Sequence, residues 1–367
     1  MSGTQWISYE EFGSRFFRRA VTMKRVEAAL DGVTGHHISI GPLNVGLAGV
    51  NAEGDVGSPS ITQEGGDDVV FKLDIPVTLG IVARLGSEFR LNAGIEISLE
   101  LRARPADPLL VVVDIPQVTL DDVRLVIKAE ALGFGAKMLL DPILAPLTAL
   151  LRQEVANRVN AMLAEPESKE GRITDVGAAI DDTEPKIPAR LTFISYAEFG
   201  KRFMQKAVTL DKLIDGTADM DGDTIDIEPL KAGPKDMATV TAHGVMRRPA
   251  VKIRGGQDHA FDLTIPIDLD LNVAVGSKDN KYQAKIDIPL VLTPRGADPL
   301  LLILDVPAPD SESIKVDLEA QGFRAKMLGA VGGIKAQLQE QVAESVAERV
   351  LDQSGRTYDI GERVDNA

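Results

Sequence analysis

The amino-acid sequence predicts an α+β protein built from two tandem copies of one module. Each module is expected to be a long, highly twisted antiparallel sheet wrapped around a C-terminal helix, with an N-terminal helix at one end. Three observations predict this fold. The chain repeats itself over its whole length, apolar residues alternate over unusually long runs, and both ends of each copy have helical periodicity.

The repeat is visible as matched segments at nearly constant offsets. Residues 7–22 (ISYEEFGSRFFRRAVT) return at 194–209 (ISYAEFGKRFMQKAVT), with an offset of 199 − 12 = 187 between Phe12 and Phe199. The ADPLL segment returns with an offset of 298 − 107 = 191 between Asp107 and Asp298. These offsets indicate a duplicated domain rather than a solenoid of short repeats. The predicted boundaries are 1–165 for the first module, 166–190 for a charged, proline-containing linker with the tail of that module, and 191–367 for the second module.

The first element of each copy is predicted to be an amphipathic helix. Ser8 can cap its N-terminus, with Glu11 three residues later, and Phe12 and Phe16 begin an apolar face at helical spacing. The second copy repeats the pattern from Ser195. Glycines then end the helix and turn the chain into a short strand.

The middle of each module alternates with period two. Every odd position from 69 to 81 and from 89 to 103 is apolar, and the second copy alternates in the same way over 261–275 and 282–292. This pattern is typical of antiparallel hairpins with one dry and one wet face. Runs of 13 and 15 residues would extend about 43–50 Å, so the sheet should twist strongly and curl around whatever covers its apolar face.

The end of each module supplies two more strands and a second helix. Strands are predicted at 109–115 and 123–129, with counterparts in the second copy, which gives about five strands per module. The helices are predicted at 143–162 and 331–350, with Pro142 and Pro146 near the start of the first, where proline is tolerated. A β-sandwich is disfavoured because sandwiches are usually built from many short strands.

This order of elements and the strand length resemble the tubular lipid-binding superfamily over essentially the whole chain, as two modules. The resemblance implies a helix inside a curled sheet, with an apolar tube between them that binds a lipid. It rests on architecture and not on a diagnostic motif. The chain has no cysteine, and no secretory signal is expected at its start, although many members of the family are exported.

The resemblance and the alternation together nominate residues that would line the tube. All are apolar and inward-facing on the long strands or on the C-terminal helix of each module. They are Phe71, Leu73, Ile75, Phe89, Leu91, Ile95, Ile97, Leu99, Leu147 and Leu151 in the first copy, and Leu263, Ile265, Ile267, Leu269, Ile286, Ile288, Leu290 and Leu338 in the second.

Two functions follow from these residues, and the sequence leaves both open. In the first, the protein carries or sequesters a lipid or another hydrophobic small molecule without catalysis. In the second, both interiors are packed cores, and the protein is a scaffold or partner-binding component, for example in a toxin or secretion gene cluster. The aliphatic lining, with aromatic residues at only 4%, favours an acyl chain over a flat ring as the ligand.

The composition restricts the classes of partner that the protein is expected to bind. The formal net charge is −15, which argues against nucleic acid, where lysine and arginine must neutralise phosphates. No segment is apolar enough to predict a transmembrane span. We therefore expect a soluble, acidic, cytoplasmic protein of bacterial type that binds a hydrophobic molecule, with a protein partner possible.

The remaining polar patterns are interpreted as structural. His36 and His37 lie in a turn that the second copy does not share, and the acidic residues at 219, 221 and 223 lack the rest of a calcium loop. Arg172 with Asp175, and the same pair in the second copy, are predicted to form local ion pairs that fasten each tail. No nucleophile elbow, phosphate loop, dinucleotide fingerprint or zinc-binding helix is found, so we expect no enzymatic activity, no cofactor and no metal.

Overall fold

The computed structural model describes residues 4–30, 34–66, 68–128, 134–232, 238–256, 259–275, 278–321, 331–351 and 353–366. The chain divides into two compact units. The first unit consists of Tyr9–Gly200 and Val364–Ala367, and the second consists of Met1–Ser8 and Lys201–Arg363. Each unit therefore combines most of one copy of the repeat with a short piece from the opposite end of the chain.

The amphipathic segment at the start of each copy forms two helices instead of one. A two-residue strand, β1 (Trp6–Ile7), precedes α1 (Tyr9–Ala20) and α2 (Met23–Leu30). In both copies a threonine caps the second helix, which in the second copy is α7 (Leu210–Thr217). Thr22 Oγ1 accepts a hydrogen bond from Arg25 N at 3.4 Å, and Thr209 Oγ1 accepts one from Lys212 N at 3.3 Å. A side-chain cap satisfies a free backbone donor and so starts a new helix where periodicity alone predicts a continuous one.

The first unit contains an eight-stranded antiparallel sheet within the described residues. The two longest strands form its central hairpin, and their register is unbroken from Val69↔Ala103 to Leu85↔Ser87. The strand order is β2-β3-β5-β6-β7-β9, with β4 also on β5 and β8 also on β6. The strands are β2 (His37–Val45), β3 (Ala48–Val56), β4 (Ser60–Gln63), β5 (Val69–Leu85), β6 (Ser87–Ala106), β7 (Leu110–Asp114), β8 (Val123–Lys128) and β9 (Ile173–Asp175).

The second unit repeats this sheet with nine strands, counted over the described residues. The added strand is β1, which pairs with the end of the long strand at Ala297 and Gly296. The others are β10 (Thr224–Ala232), β11 (Ala238–Met246), β12 (Ala250–Ile253), β13 (Phe261–Val275), β14 (Lys278–Ala297), β15 (Leu301–Asp305), β16 (Lys315–Gln321) and β17 (Thr357–Asp359). The α+β class, the duplication and the curled antiparallel sheets are confirmed.

The predicted number of about five strands per module is wrong. The sequence does not reveal β3 and β4, nor their counterparts β11 and β12. In β3 the alternation is obscured by the segment Asn51–Asp55 (NAEGD), whose residues have low strand propensity. Pairing with the long neighbour β5 holds this segment extended despite its composition.

Each copy has one long helix after its strands. The helix α3 (Phe134–Ala164) begins nine residues before the predicted start at 143, so Pro142 and Pro146 lie inside it. Both prolines are exposed, so their missing N–H groups leave carbonyls that water can reach. The corresponding helix of the second copy is α8 (Val331–Leu351).

The tails of both copies return to their sheets. The segment 166–190 contains α4 (Pro166–Glu170), β9 on β7, and α5 (Val176–Asp181). In the second copy, β17 pairs with β15 and leads into α9 (Ile360–Asn366). The predicted ion pair between Arg172 and Asp175 is wrong. Arg172 donates to the carbonyls of Ser168 and Leu163 at 2.8 Å each, while Asp175 caps α5 by accepting from Ala178 N at 2.9 Å.

A repeated arginine contact fastens the residues that precede the first helix of each copy. In the first unit, the Arg104 guanidinium lies 3.6 Å from the ring centroid of Phe193 and bonds Asp114 at 3.1 Å. In the second unit, Arg295 makes the same contact with Trp6 at 4.1 Å and bonds Asp305 at 3.1 Å. These cation–π contacts anchor both segments to a long strand.

Two glycines let α1 cross the start of α6 (Tyr196–Ala207) at close range within the first unit. A Cβ on Gly13 would lie 2.3 Å from the Tyr196 carbonyl oxygen, and a Cβ on Gly200 would lie 2.2 Å from that of Tyr9. The two contacts are equivalent, since 196 − 9 = 187 and 200 − 13 = 187. The Phe17 and Phe199 rings pack beside this crossing at 5.0 Å between centroids.

Gly13→Ala should therefore lower the free energy of unfolding by about 1–3 kcal/mol, because the methyl group must push two helix backbones apart. Denaturant unfolding followed by circular dichroism measures the change. Gly216→Ala is the matched helical control. A Cβ at Gly216 meets nothing within 4 Å, so this substitution should be neutral or stabilising. Equal destabilisation by both substitutions would contradict the account of a close crossing.

The last residues of the chain are fastened to α1 by a bidentate ion pair. Arg19 Nε and Nη2 donate to Asp365 Oδ1 and Oδ2 at 2.8 and 2.6 Å, and Arg25 Nη2 donates to the Val364 carbonyl at 2.7 Å. Hydrogen bonding to Arg19 holds the pKa of Asp365 below its usual value of 3.8. This attachment is therefore complete above pH 3.8 and is lost as the pH falls through the lowered pKa.

An NMR pH titration of the Asp365 carboxyl carbon should give a midpoint below 3.8. The Arg19→Gln variant should return it towards the usual value, because the hydrogen bond to the ionised form is removed. Arg25→Gln should have the smaller effect, since Arg25 acts on this carboxylate only through its charge. An unshifted midpoint in the unmodified chain would show that the ion pair does not form.

Candidate functional site

In the first unit, α3 lies across the opening between the two edges of a curled sheet. It contacts β2 and β8, which are the outer strands in the order β2-β3-β5-β6-β8. Asn160 on α3 holds the chain just before β8. Its Oδ1 accepts from Val118 N at 2.8 Å, and its Nδ2 donates to Val118 O at 2.9 Å. The helix therefore closes the half-barrel.

The second unit closes its sheet in the same way. The helix α8 contacts β10 and β16, and two of its glutamines reach opposite edges. Gln337 Nε2 donates to Lys231 O on β10 at 3.1 Å, and Gln339 Nε2 donates to Ile314 O, just before β16, at 2.6 Å. The side-chain amides satisfy backbone carbonyls that an edge would otherwise leave open.

The residues nominated from the sequence lie on the inward faces. Sixteen of the eighteen are buried, while Ile75 and Phe89 are partly buried. The strand register brings many of them together in directly opposite pairs, such as Leu73 with Leu99 and Ile265 with Ile288. On the helices, Leu147, Leu151 and Leu338 are at most 1% exposed.

Alanines on the same inward faces were not among the nominated lining residues, although Ala93 and Ala284 lie within the alternating runs seen in the sequence. In the first unit, Ala83 lies opposite Val50, Ala93 lies opposite Leu79, and Ala52 lies opposite Ile81. Each of these alanines is at most 2% exposed. The second unit has Ala242 and Ala284 in the equivalent places. The sequence signal for these alanines is their position: they follow the same alternation as the larger apolar residues beside them.

The perimeter of each half-barrel limits the size of ligand that its interior can enclose. Five strands about 4.8 Å apart and one helix about 10–12 Å across give a perimeter of roughly 35 Å. Eight strands at the same spacing give about 38 Å, and a barrel of that size is either filled by side chains or holds one small ligand. Side-chain size on the inward face therefore decides between a filled core and a tube.

A separate cavity of about 610 Å³ lies in the second unit, and we call it the polar trough. It is lined by Asp226, Thr241, Ala242, His243, Asp270, Leu271, Asn272, Lys281 and Tyr282. None of the eighteen nominated residues is among them. Six of the nine alternate with buried Leu271 and Tyr282 along their strands and so belong to the polar face of the sheet. Burial raises the pKa of the Tyr282 phenol.

The other polar patterns give no metal site in the described parts of the chain, where no three His, Cys, Asp or Glu residues are grouped to hold an ion. His37 begins β2 and bonds Asp55 on β3 at 3.0 Å. Among the helices described, none is long and apolar enough to cross a membrane.

Asn160→Ala should loosen the closure of the first half-barrel. Two backbone groups of Val118 would lose their partner, which costs about 1–3 kcal/mol of unfolding free energy. Hydrogen exchange should rise in α3 and at residues 117–120. Asn157→Ala is the control on the same helix, because the Asn157 side chain accepts a bond at 3.0 Å from the exposed Gln153 side chain and has no other side-chain bond among the described residues. Similar exchange in both variants would show that Asn160 does not hold the helix.

No family profile and no curated protein matches the chain. Among solved structures, it is similar to a lipopolysaccharide binding protein, with 11% identity and a TM-score of 0.32 over 92% of this chain and 88% of that one. It is also similar to P47 of Clostridium botulinum E1, with 8% identity and a TM-score of 0.26 over 90% and 87%. The observed architecture is two curled antiparallel sheets, each closed by a helix.

Proposed function

We propose that the protein is a non-enzymatic carrier that binds an acyl chain or a similar hydrophobic molecule between the curled sheet and its closing helix. The alanines on the inward face carry the proposal. At Ala52, Ala83 and Ala93 the wall of the first half-barrel is thinner than at its leucine and isoleucine neighbours. Alanine at these three inward positions, on β3, β5 and β6, leaves less side-chain volume to fill the interior than leucine or isoleucine would.

The expected ligand follows from the chemistry of the wall. The inward positions are aliphatic, so the driving force is the transfer of apolar surface out of water. Burial contributes about 0.8 kcal/mol per methylene, so a sixteen-carbon chain could gain on the order of 10 kcal/mol before ordering costs. A carboxylate or phosphate head would remain at an open end of the tube, because the wall offers it no partner.

The closing helix supplies a route for entry. The side-chain bonds of Asn160 to the chain before β8, and those of Gln337 and Gln339 to both edges in the second unit, hold the helices over the opening. A few such bonds can break and re-form without unfolding the hairpin beneath them. Uptake would therefore involve movement of the helix away from one edge.

Ala93→Leu tests the proposal because its two alternatives predict opposite signs. In a tube, leucine fills open space, so the ligand-free protein keeps or gains stability while uptake of a fluorescent fatty acid falls at least tenfold. In a filled core, the same change overpacks the interior and costs about 1–3 kcal/mol. Fluorescence titration and denaturant unfolding measure the two effects.

Two further variants serve as comparisons for the effect of Ala93→Leu. Ala284→Leu is the equivalent change in the second copy, since 284 − 93 = 191, and shows whether both half-barrels bind. Ala106→Leu is the overpacking control, because Ala106 is fully buried in a cluster with Leu110 and Val112. If Ala93→Leu destabilises the protein as much as Ala106→Leu and the unmodified chain takes up no fatty acid, the carrier is excluded and the scaffold alternative stands.

A further inference from the structure

The polar trough of the second unit contains an acidic row across four neighbouring strands. One residue from each strand lies opposite the next: Asp226 on β10, His243 on β11, Asp270 on β13 and Gln283 on β14. His243 Nδ1 is 2.5 Å from Asp226 Oδ1, and Gln283 Nε2 donates to Asp270 Oδ1 at 3.1 Å. Each carboxylate therefore has a neighbour on one side and retains acceptor capacity for a ligand.

A second row lies two residues further along the same strands. It consists of Thr241, Asn272 and Lys281. The Asn272 Oδ1 atom is buried and has no hydrogen-bond partner in the described part of the protein. Such a buried acceptor costs about 1–3 kcal/mol, and because it is buried it is not reached from the trough.

Lys281 gives this second row a positive charge. Its side chain is exposed, and no carboxylate of the described residues forms an ion pair with it within 4.0 Å. The two rows are about 6.6–7 Å apart, because two residues of a strand separate them. The trough thus presents carboxylates on one side and an ammonium on the other.

We propose that the polar trough binds a small zwitterion. The ligand's ammonium group lies along the acidic row and donates to Asp226 or Asp270, and its anionic group pairs with Lys281. The cavity volume of about 610 Å³ is within the range of small-molecule sites and leaves room for substituents between the two charges. The site is on the polar face of the sheet and does not depend on the acyl-chain proposal for the interior.

The first unit supplies the internal comparison. By strand register, Ser39, Glu53 and Gly80 occupy the places of Asp226, His243 and Asp270. The fold therefore does not require the acidic row, since the equivalent sheet forms without it. Arg90 takes the place of Lys281, but Glu88 already pairs with it at 3.2 Å. The arrangement of charges in the trough is specific to the second copy.

The test uses three probes of nearly the same size on the full chain: 4-aminobutyrate, butylamine and butyrate. NMR titration at physiological salt follows the backbone amides of residues 241–243 and 270–272. The proposal predicts saturable binding of 4-aminobutyrate, at least tenfold tighter than either probe with a single charge. Asp270→Asn and Lys281→Met should each weaken that binding at least tenfold while leaving the circular dichroism spectrum unchanged.

Glu53→Gln is the matched control, because it removes one negative charge from the equivalent row of the first copy. Binding of 4-aminobutyrate to this variant should be unchanged. If butylamine binds as tightly as 4-aminobutyrate, or if Glu53→Gln weakens binding as much as Asp270→Asn, the interaction is a general attraction of cations to an acidic protein and the proposal fails. Absence of saturable shifts at these amides would also overturn it.

Discussion

The closing contact between one helix and two sheet edges is the constraint on which each half of this protein depends. A curled sheet with an apolar inner face has two problems: the face must leave water, and the edge strands carry unpaired backbone groups. A helix that spans the opening solves both, because it covers the face and its side-chain amides bond the edges. Asn160 in the first copy and Gln337 with Gln339 in the second perform this role with different residues at different positions.

The duplication explains why other contacts occur twice. The paired glycines Gly13 and Gly200 allow the same close helix approach from both copies, and Arg104 and Arg295 each hold an aromatic residue that precedes a first helix. Each aromatic residue lies in the same compact unit as the arginine that contacts it, although Trp6 is far from Arg295 in the sequence. Where the copies differ, as at His243 and Glu53, the difference lies on the polar face, which the fold leaves free to vary.

Much of the fold could be predicted from the sequence because apolar and polar residues alternate over long, uninterrupted runs. Alternation over β5 and β6 fixes their faces, and the register between them is unbroken. The strand β3 was missed because glycine and acidic residues obscure the alternation there, and β4 because it has only four residues. In both, pairing with β5 outweighs local propensity. The start of α3 was misplaced for a similar reason, since two exposed prolines look like a helix start and are tolerated inside it. The nominated lining residues lie inward, whereas the polar trough depends on registers between strands that no single strand reveals.

The central claim is that a helix-closed half-barrel with alanines on its wall encloses room for a hydrocarbon chain. Native mass spectrometry of the full chain, purified gently and then incubated with palmitate, tests this most directly. The account predicts one or two added masses of the fatty acid per chain, which are released when the protein is denatured. A mass equal to the bare polypeptide after incubation, at fatty-acid concentrations that saturate known carriers, would contradict it and leave two packed cores.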